Sequence, residues 1–155
     1  NPNRLKALND HLMLFFTGIS RFSSEVAKSQ VSNMENCHPQ MNELRDMVDE
    51  GSSILCNLNT PLEEFGKLLN RAWENKKSLS NQITNKKIDE LYNTAIKAGA
   101  IGGKILGAGG GGFVLFFVKP GDQGRVKKAL SNLTYVPFKF ENTGSKVVLY
   151  QPNGF

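Results

Sequence analysis

A cluster of glycines in the second half of the sequence constrains this chain more than any other feature. Five glycines surround one alanine over residues 107–112, directly before the apolar run 113–118. Because glycine has no Cβ atom, such a backbone can adopt positive φ and bring several N–H groups onto one phosphate. A flexible linker would usually mix serine with glycine, although a hairpin turn or a loose connector would also use glycine. We therefore predict a ligand-facing loop that cradles an anion, with the turn or connector as the alternative.

Length and composition predict one domain. The 155 residues, 39% of them hydrophobic, suffice for a single core but not comfortably for two. The longest uninterrupted apolar run, residues 113–118, is far below the roughly 18 residues of a membrane-spanning helix, so we expect a soluble protein with no membrane partner. The sequence begins at Asn1 without Met or a signal pattern, which favours a processed product or a piece of a longer protein.

The two cysteines predict free thiols and a cytoplasmic setting. Cys37 and Cys56 lie near opposite ends of one predicted helix, which at 1.5 Å per residue separates them by roughly 28 Å. That separation is beyond disulfide reach, and reduced cysteines are typical of cytoplasmic proteins. His11 and His38 are far apart in the sequence and no zinc-ligand spacing is present, so we predict no metal site.

Positive charge is concentrated in the part of the sequence that holds the glycines. The formal net charge is +5, and residues 1–66 carry 5 Lys/Arg and 9 Asp/Glu, whereas residues 67–155 carry 14 and 5. A positive field around a phosphate-accepting loop would concentrate anionic substrates, and an RNA-binding face would produce the same imbalance. Charge alone leaves both functions open.

Hydrophobic patterning predicts an α+β fold. The run 12–16 is typical of a buried strand, and the run 113–118 of a central strand covered on both sides. The segment 135–140 contains a proline and predicts an edge strand, in a hairpin with 146–150. We predict a ferredoxin-like antiparallel sheet with additional helices packed on one face. The predicted helices are 19–31, 39–57, one from the capping box Thr60-Pro61-Leu62-Glu63 through Trp73, 88–96 closed by Gly99, and 122–130.

Two cationic side chains stand close in sequence to possible phosphate sites. Lys104 precedes the first glycine of the loop by three residues, so its ammonium could meet the same anion; a solvated lysine is the alternative. Arg21 follows Thr17-Gly18 and is predicted in the first turn of the next helix, where free N–H groups favour an anion. An ordinary surface arginine would fit that position equally well.

Other candidate chemistry is weaker. Trp73, Lys76 and Lys77 form a second candidate face, but Trp73 continues an apolar stripe and is predicted to lie in the core, with the two lysines as solvated neighbours. Neither a Ser-His-Asp nor a Cys-His arrangement survives a test of spacing, and no general base or nucleophile is evident. The sequence thus names a phosphate site but no catalytic residue.

Several segments carry a family resemblance. Residues 99–113, which read Gly-Ala-Ile-Gly-Gly-Lys-Ile-Leu-Gly-Ala-Gly-Gly-Gly-Gly-Phe, resemble the third, C-terminal signature motif of the GHMP small-molecule kinases. Residues 16–21 are similar to the segment that opens the family's C-terminal domain. Residues 73–80 and 88–92 are most similar to the branch that phosphorylates D-glycero-D-manno-heptose phosphate. The resemblance covers nearly the whole chain.

This resemblance implies a function. It implies ATP- and Mg²⁺-dependent phosphorylation of a hydroxyl of a heptose phosphate in the cytoplasm, on a route to nucleotide-activated heptose; a galactokinase-like or mevalonate-kinase-like activity is the alternative. It makes Thr17, Gly18, Arg21 and Lys104 candidate contacts to the phosphorylated sugar. It also gives a cofactor-binding role near the transferred phosphoryl group to Gly107, Ala108, Gly109, Gly110 and Gly111.

The sequence departs from the family in one respect. The N-terminal domain of these kinases carries an ATP loop of the form Pro-x-x-x-Gly-Leu-x-Ser-Ser-Ala and an acidic residue near the acceptor hydroxyl, and neither pattern occurs here. We therefore predict that the chain is the C-terminal domain of a kinase, that the N-terminal domain is its partner and holds most of the ATP and Mg²⁺ contacts, and that the chain alone turns over little or no substrate.

Two readings from other classes stay open at this point. A non-catalytic RNA-binding module would need solvent-facing aromatics, whereas Phe113, Phe116 and Phe117 lie in a run that is predicted to be buried on both faces. A regulatory domain could use the glycine loop to bind a small molecule without catalysis.

Overall fold

The structure, a computed structural model, describes residues 1–20, 23–141 and 143–147. Within these ranges the chain forms six α-helices and four strands. In order they are α1 (Pro2–His11), β1 (Leu12–Phe16), α2 (Ser23–Ser32), α3 (His38–Cys56), α4 (Glu63–Lys77), α5 (Lys86–Ala98), β2 (Ala100–Ile105), β3 (Phe113–Val118), α6 (Gln123–Ala129) and β4 (Thr134–Val136).

The four strands form one antiparallel sheet in the order β2-β3-β1-β4. With helices between β1 and β2 and between β3 and β4, this order is that of a ferredoxin-like fold, and the predicted fold class is confirmed. β3 lies between β2 and β1, as expected for a strand that is apolar on both faces, with Leu115 opposite Leu14 of β1 and Lys104 of β2.

Helices cover both faces of the sheet. The sequence analysis predicted the additional helices on one face, and the structure has helices on the other face as well. Alternate residues of β3 go to two separate clusters, because successive side chains of a strand point to opposite faces. One cluster joins Phe116 to Tyr92 of α5 and Val126 of α6. The other joins Phe117 to Leu8 of α1 and to α4. Helices therefore shield both faces of the sheet from solvent. The exposed side chains of its two central strands, Phe16 and Phe113, lie at the strand ends.

β2 was missed in the sequence analysis because two of its six residues are glycines, which are rare in strands. The structure explains them by the close approach of α4. A Cβ atom on Gly102 would lie 2.0 Å from the carbonyl oxygen of Gly66, so only glycine lets the two backbones meet. Tyr92 of α5 fixes the same strand, since its hydroxyl accepts from the amide of Gly103 at 3.1 Å and donates to Asn70 at 2.7 Å. Burial raises the pKa of this hydroxyl.

Three helix starts also differ from the prediction. The helix predicted over 19–31 is α2, Ser23–Ser32, and Ile19 and Ser20 are not helical. α1 was not predicted, yet Asn1 caps it by accepting from the amide of Asn3 at 2.9 Å, and Pro2 occupies its first turn. The capping box proposed for α4 is wrong: the helix begins at Glu63 and no side chain bonds its first amides. The carbonyl of Thr60 instead accepts from Arg4 at 2.7 Å, which ties α1 to the connection between α3 and α4.

The predicted C-terminal hairpin is only partly described. The strand predicted over 135–140 is β4, which ends at Val136 before Pro137. Residues 146 and 147 have no regular structure, and residues 148–150 lie outside the described residues.

The predicted burial of Phe113 is wrong, because 42% of it is exposed at the start of β3, whereas Phe116 and Phe117 are buried completely. Trp73 is also fully buried, as predicted. Cys37 and Cys56 carry free thiols, as predicted, with the first buried and the second exposed. Within the described part of the chain, no helix is both long and apolar enough to cross a bilayer.

Candidate functional site

The glycine loop over residues 107–112 is a fixed turn between β2 and β3. Its two ends are joined by the amide of Leu106, which donates to the carbonyl of Phe113 at 2.8 Å. Within the loop, the amides of Gly110 and Gly112 donate to the carbonyls of Ile83 and Ile19, each at 2.8 Å. Gln30 of α2 donates to the carbonyl of Ala108 at 2.7 Å. The loop is thus held by hydrogen bonds from three other parts of the chain, unlike a loose connector.

Four loop amides keep their hydrogen-bonding capacity. Among the described residues no acceptor bonds the amides of Gly107, Ala108, Gly109 and Gly111. These same four residues line a small cavity of about 230 Å³, together with Gly112, whose amide is used internally. Backbone N–H groups in a glycine-rich turn that face no protein acceptor are suited to a phosphate or another anion.

Glycine is required at Gly109 by both conformation and space. Its φ of +117° lies in the region that side chains rarely adopt, and a Cβ atom there would lie 2.8 Å from the carbonyl oxygen of Ile83. The loop therefore packs against the turn before α5 without any side chain between the two backbones. This contact gives the glycines of the predicted motif a steric reason.

Thr17 fastens the segment after β1 to the far end of the loop. Its hydroxyl donates to the carbonyl of Gly112 at 2.8 Å and accepts from the amide of Ile19 at 3.2 Å. The side chain is buried, with 8% of its surface exposed. Thr17 therefore holds the loop in position through these hydrogen bonds. Its contact with a sugar stays a prediction.

Lys76 was set aside as solvated in the sequence analysis, but its ammonium donates to the carbonyl of Gly107 at the start of the loop. Lys76 lies near the C-terminal end of α4 and is half-buried. Desolvation lowers the pKa of this ammonium, and the positive charge of Lys104 lowers it further. The structure therefore brings a second lysine to the predicted site, next to Lys104 of β2.

The structure brings some predicted residues together and separates others. The loop shares its cavity with Phe16, Ile19, Ser20 and Leu106. Gly18 and Thr17 instead line a neighbouring groove of about 460 Å³ against α5 and the residues after α6. Lys104 is half-buried on β2 at the side of Lys76. Arg21 lies outside the described residues, so its predicted role stays a prediction.

The residues that hold the loop were largely invisible to sequence reasoning. Ile19 and Ile83 act through carbonyl oxygens, which every residue possesses, and no side-chain pattern could have singled them out. Gln30 and Lys76 act through side chains, but each reaches the loop from an element distant in sequence. The helical spacing from Trp73 to Lys76 places the lysine one turn from the buried indole, and this was the only available hint.

The described residues fit a phosphate better than a metal ion. No cluster of three His, Cys, Asp or Glu side chains that could hold a metal is found among them. The free amides and the two lysines can bind phosphate oxygens of a nucleotide or a sugar phosphate. Mg²⁺ usually takes one or two carboxylates, several waters and substrate phosphates, so phosphate oxygens of a ligand would supply part of the predicted Mg²⁺ site.

Comparisons with known proteins relate this chain to one family of kinases. The sequence pattern of the family described as GHMP kinases C terminal matches residues 56–136. The D-glycero-alpha-D-manno-heptose 7-phosphate kinase of Campylobacter jejuni is 29% identical, over 94% of this chain and 45% of that protein. The L-fucokinase/L-fucose-1-P guanylyltransferase of Bacteroides fragilis is 31% identical, over 77% of this chain and 13% of that protein.

Solved structures show the same fold. A mevalonate kinase from Methanococcus jannaschii superposes with a TM-score of 0.73 at 24% identity, over 88% of this chain and 42% of that structure. A D-glycero-D-manno-heptose 1-phosphate kinase from Bacteroides thetaiotaomicron superposes with a TM-score of 0.58 at 25% identity, over 90% of this chain and 36% of that structure. The chain spans less than half the length of these relatives. Its fold, its glycine loop and the match over residues 56–136 together establish that it belongs to the GHMP kinases, as a C-terminal domain of that family.

Proposed function

We propose that the chain is the C-terminal part of an ATP-dependent kinase that phosphorylates a hydroxyl of a heptose phosphate. The observation that carries the proposal is the loop of residues 107–112. Four of its amides have no acceptor among the described residues, and they belong to residues that line its cavity. The similarity to a heptose 7-phosphate kinase over 94% of the chain supports this choice of substrate class.

In this proposal the chain contributes position and charge to phosphoryl transfer. Phosphoryl transfer depends chiefly on alignment and on stabilisation of the negative charge carried by the transferred group. The free amides of the loop are suited to that charge because they are already oriented before a ligand binds. ATP, with Mg²⁺, would supply the phosphoryl group. The proposed contacts of this chain to the sugar phosphate are Thr17, Gly18, Arg21 and Lys104.

An N-terminal domain of the same polypeptide is part of the proposal. The cavity beside the loop measures about 230 Å³, which is below the roughly 300–1,000 Å³ of typical small-molecule sites. The described residues also offer no carboxylate cluster for Mg²⁺. A second domain that closes over the loop would enlarge the site and supply the acidic groups.

An assay of ADP release tests this function. The chain alone and the longer protein that includes the upstream coding region would be compared on D-glycero-D-manno-heptose phosphates, mevalonate, L-fucose and galactose. We expect no sugar-dependent turnover by the chain alone, and the highest kcat/KM of the longer protein with a heptose phosphate. Robust turnover by the chain alone would contradict the proposal that an N-terminal domain is needed for activity. A preference for mevalonate, fucose or galactose would contradict the proposed heptose phosphate substrate.

A regulatory binding domain is the second candidate, and the pre-formed loop favours it over an RNA-binding module. A loop that is fixed by hydrogen bonds can bind an anion whether or not chemistry follows. An RNA-binding sheet would need an open aromatic face, but helices cover both faces of this sheet. If the longer protein binds a sugar phosphate but transfers no phosphoryl group, the regulatory domain is favoured. Tight binding of a single-stranded RNA would favour the RNA-binding module.

A further inference from the structure

Two lysines lie at the approach to the glycine loop. Lys104 is on the same face of β2 as Gly102, the face that packs on α4, and Lys76 of α4 donates to the carbonyl of Gly107 just beyond that strand. Neither forms an ion pair with a described carboxylate, whereas Lys67, Lys77 and Lys119 each do. Two like charges in a half-buried position repel each other, so this arrangement costs free energy in the folded protein unless an anion joins it.

The carboxylates nearest to Lys76 along its own helix and on the neighbouring helix are already engaged. Glu74 of α4 is paired with Lys77 at 2.9 Å. Glu43 of α3 accepts from the side chain of Asn75. Within the described part of the chain, Lys76 therefore has one hydrogen-bond partner, the carbonyl of Gly107. An ammonium has three N–H donors, so two of them remain for a ligand.

We propose that Lys76 and Lys104 form a two-cation site for a phosphate monoester dianion at the start of the glycine loop, and that Lys76 also positions the loop through Gly107. The site rests on the proposed function in its substrate class, the phosphate group that a sugar-phosphate acceptor carries. Binding a dianion there removes the repulsion between the ammonium groups, and the hydrogen bond to Gly107 couples that event to the loop.

The site separates two tasks at one loop. Lys76 contacts the carbonyl oxygen of Gly107, and the amide of Ala108 in the same trans peptide group points the opposite way, while the cavity is lined by Ile19 and Ser20 and by neither lysine. A phosphate on the two lysines would anchor the acceptor sugar, and the free amides would remain available for the transferred phosphoryl group. A substrate without a phosphate group would leave the two cations unpaired and would bind less tightly.

Inorganic phosphate is the probe for this site. It would be titrated into the chain of residues 1–155, and binding would be followed through amide NMR shifts of residues 104–112. The variants are Lys76→Met, Lys104→Met and Lys76→Arg. Lys67→Met is the matched control, because it makes the same chemical change on the same helix at a lysine that pairs with Glu64 on the surface. Circular dichroism would establish that each variant is folded.

We expect Lys76→Met and Lys104→Met each to weaken phosphate binding by about tenfold or more, as loss of a charge-assisted hydrogen bond would. Lys67→Met should stay within about twofold of the parent, since screening weakens distant charges. Lys76→Arg should retain most of the affinity. Binding of inorganic phosphate should also weaken as the pH falls and the phosphate loses its second charge, whereas binding of sulfate, a dianion throughout, should not.

A readout without ligand separates positioning from general stability. Lys76→Met should shift the amide resonances of Gly107 and Ala108, and Lys104→Met should raise the pKa of Lys76, measured on its side-chain nitrogen, while Lys67→Met changes neither. Equal loss of phosphate binding in all three Met variants, or none in any, would overturn the site. If the variants change phosphate binding as expected but the longer protein phosphorylates no sugar, the proposed kinase function is rejected and the two-cation site is retained.

Discussion

At the scale of single residues, the loop depends on a few buried hydrogen bonds rather than on its glycines alone. Thr17 is the clearest case, because one hydroxyl group serves both the loop and the chain after β1. The glycine cluster was recognisable from sequence since its composition is extreme, and so was Lys104, three residues before it. Lys76 was not, because only packing of α4 against β2 brings it to Gly107.

The variant Thr17→Val tests that role. Valine keeps the shape but removes the donor to Gly112 and leaves the amide of Ile19 without its acceptor. We expect the free energy of unfolding to fall by about 1–2 kcal/mol, the cost of an unpaired buried polar group. Urea denaturation measures it, and the amide shifts of residues 107–112 should change.

Thr94→Val is the matched control for this measurement. The hydroxyl of Thr94 donates to a carbonyl within α5 on an exposed surface, so its loss should change stability by less than about 0.5 kcal/mol. Equal effects of the two substitutions would mean that the hydrogen bonds of Thr17 do not hold the loop.

At the scale of elements, strands that are defined by apolar side chains were predicted well. A strand that is defined by close contact between two backbones was missed. β1 and β3 are apolar runs, and their positions were predicted closely. β2 was missed because its glycines are explained only by the approach of α4 from another part of the chain. Likewise the start of α4 is fixed by α1 through Arg4 and not by a local cap, so a local rule for helix starts failed there.

An ion pair joins α4 to the end of β3 and should make stability depend on pH. Glu63 in the first turn of α4 bonds Lys119 at 2.8 Å, and the hydrogen bond from Lys119 lowers the pKa of Glu63. A carboxyl whose pKa is lower in the folded state stabilises the protein above its unfolded pKa of about 4.3, and the contribution is lost as pH falls through the folded pKa. Lys119→Met should therefore reduce stability at pH 7 and have no effect near pH 2.

Urea denaturation of the parent and the variant at several pH values measures this difference. Lys128→Met is the control, because Lys128 is an exposed lysine of α6 that forms no ion pair within the described part of the chain. A difference between parent and Lys119→Met that stays constant from neutral to acid pH would contradict the role of Glu63.

At the scale of the whole molecule, an apolar edge remains beside the glycine loop after both faces of the sheet are covered. Phe16 and Phe113 are opposite each other on β1 and β3, with ring centroids 5.2 Å apart, and they are 36% and 42% exposed. Leu106, at the start of the loop, is 37% exposed. The sequence analysis placed the whole run 113–118 in the interior because alternation cannot distinguish a strand's buried middle from its exposed end.

This edge is where we expect the proposed N-terminal domain to pack, since exposed apolar side chains that adjoin a site mark contact surfaces. Phe113→Ser should cost the isolated chain about 1 kcal/mol or less, because the ring is already partly in water. In the longer protein the same change should lower the melting temperature and raise the KM for the sugar phosphate, because the ring would be buried between domains. Differential scanning calorimetry and steady-state kinetics on both proteins measure these effects.

Val48→Ser, on the exposed side of α3, is the control and should leave both proteins unchanged. Equal effects of Phe113→Ser on the isolated chain and on the longer protein would mean that this edge faces solvent in both.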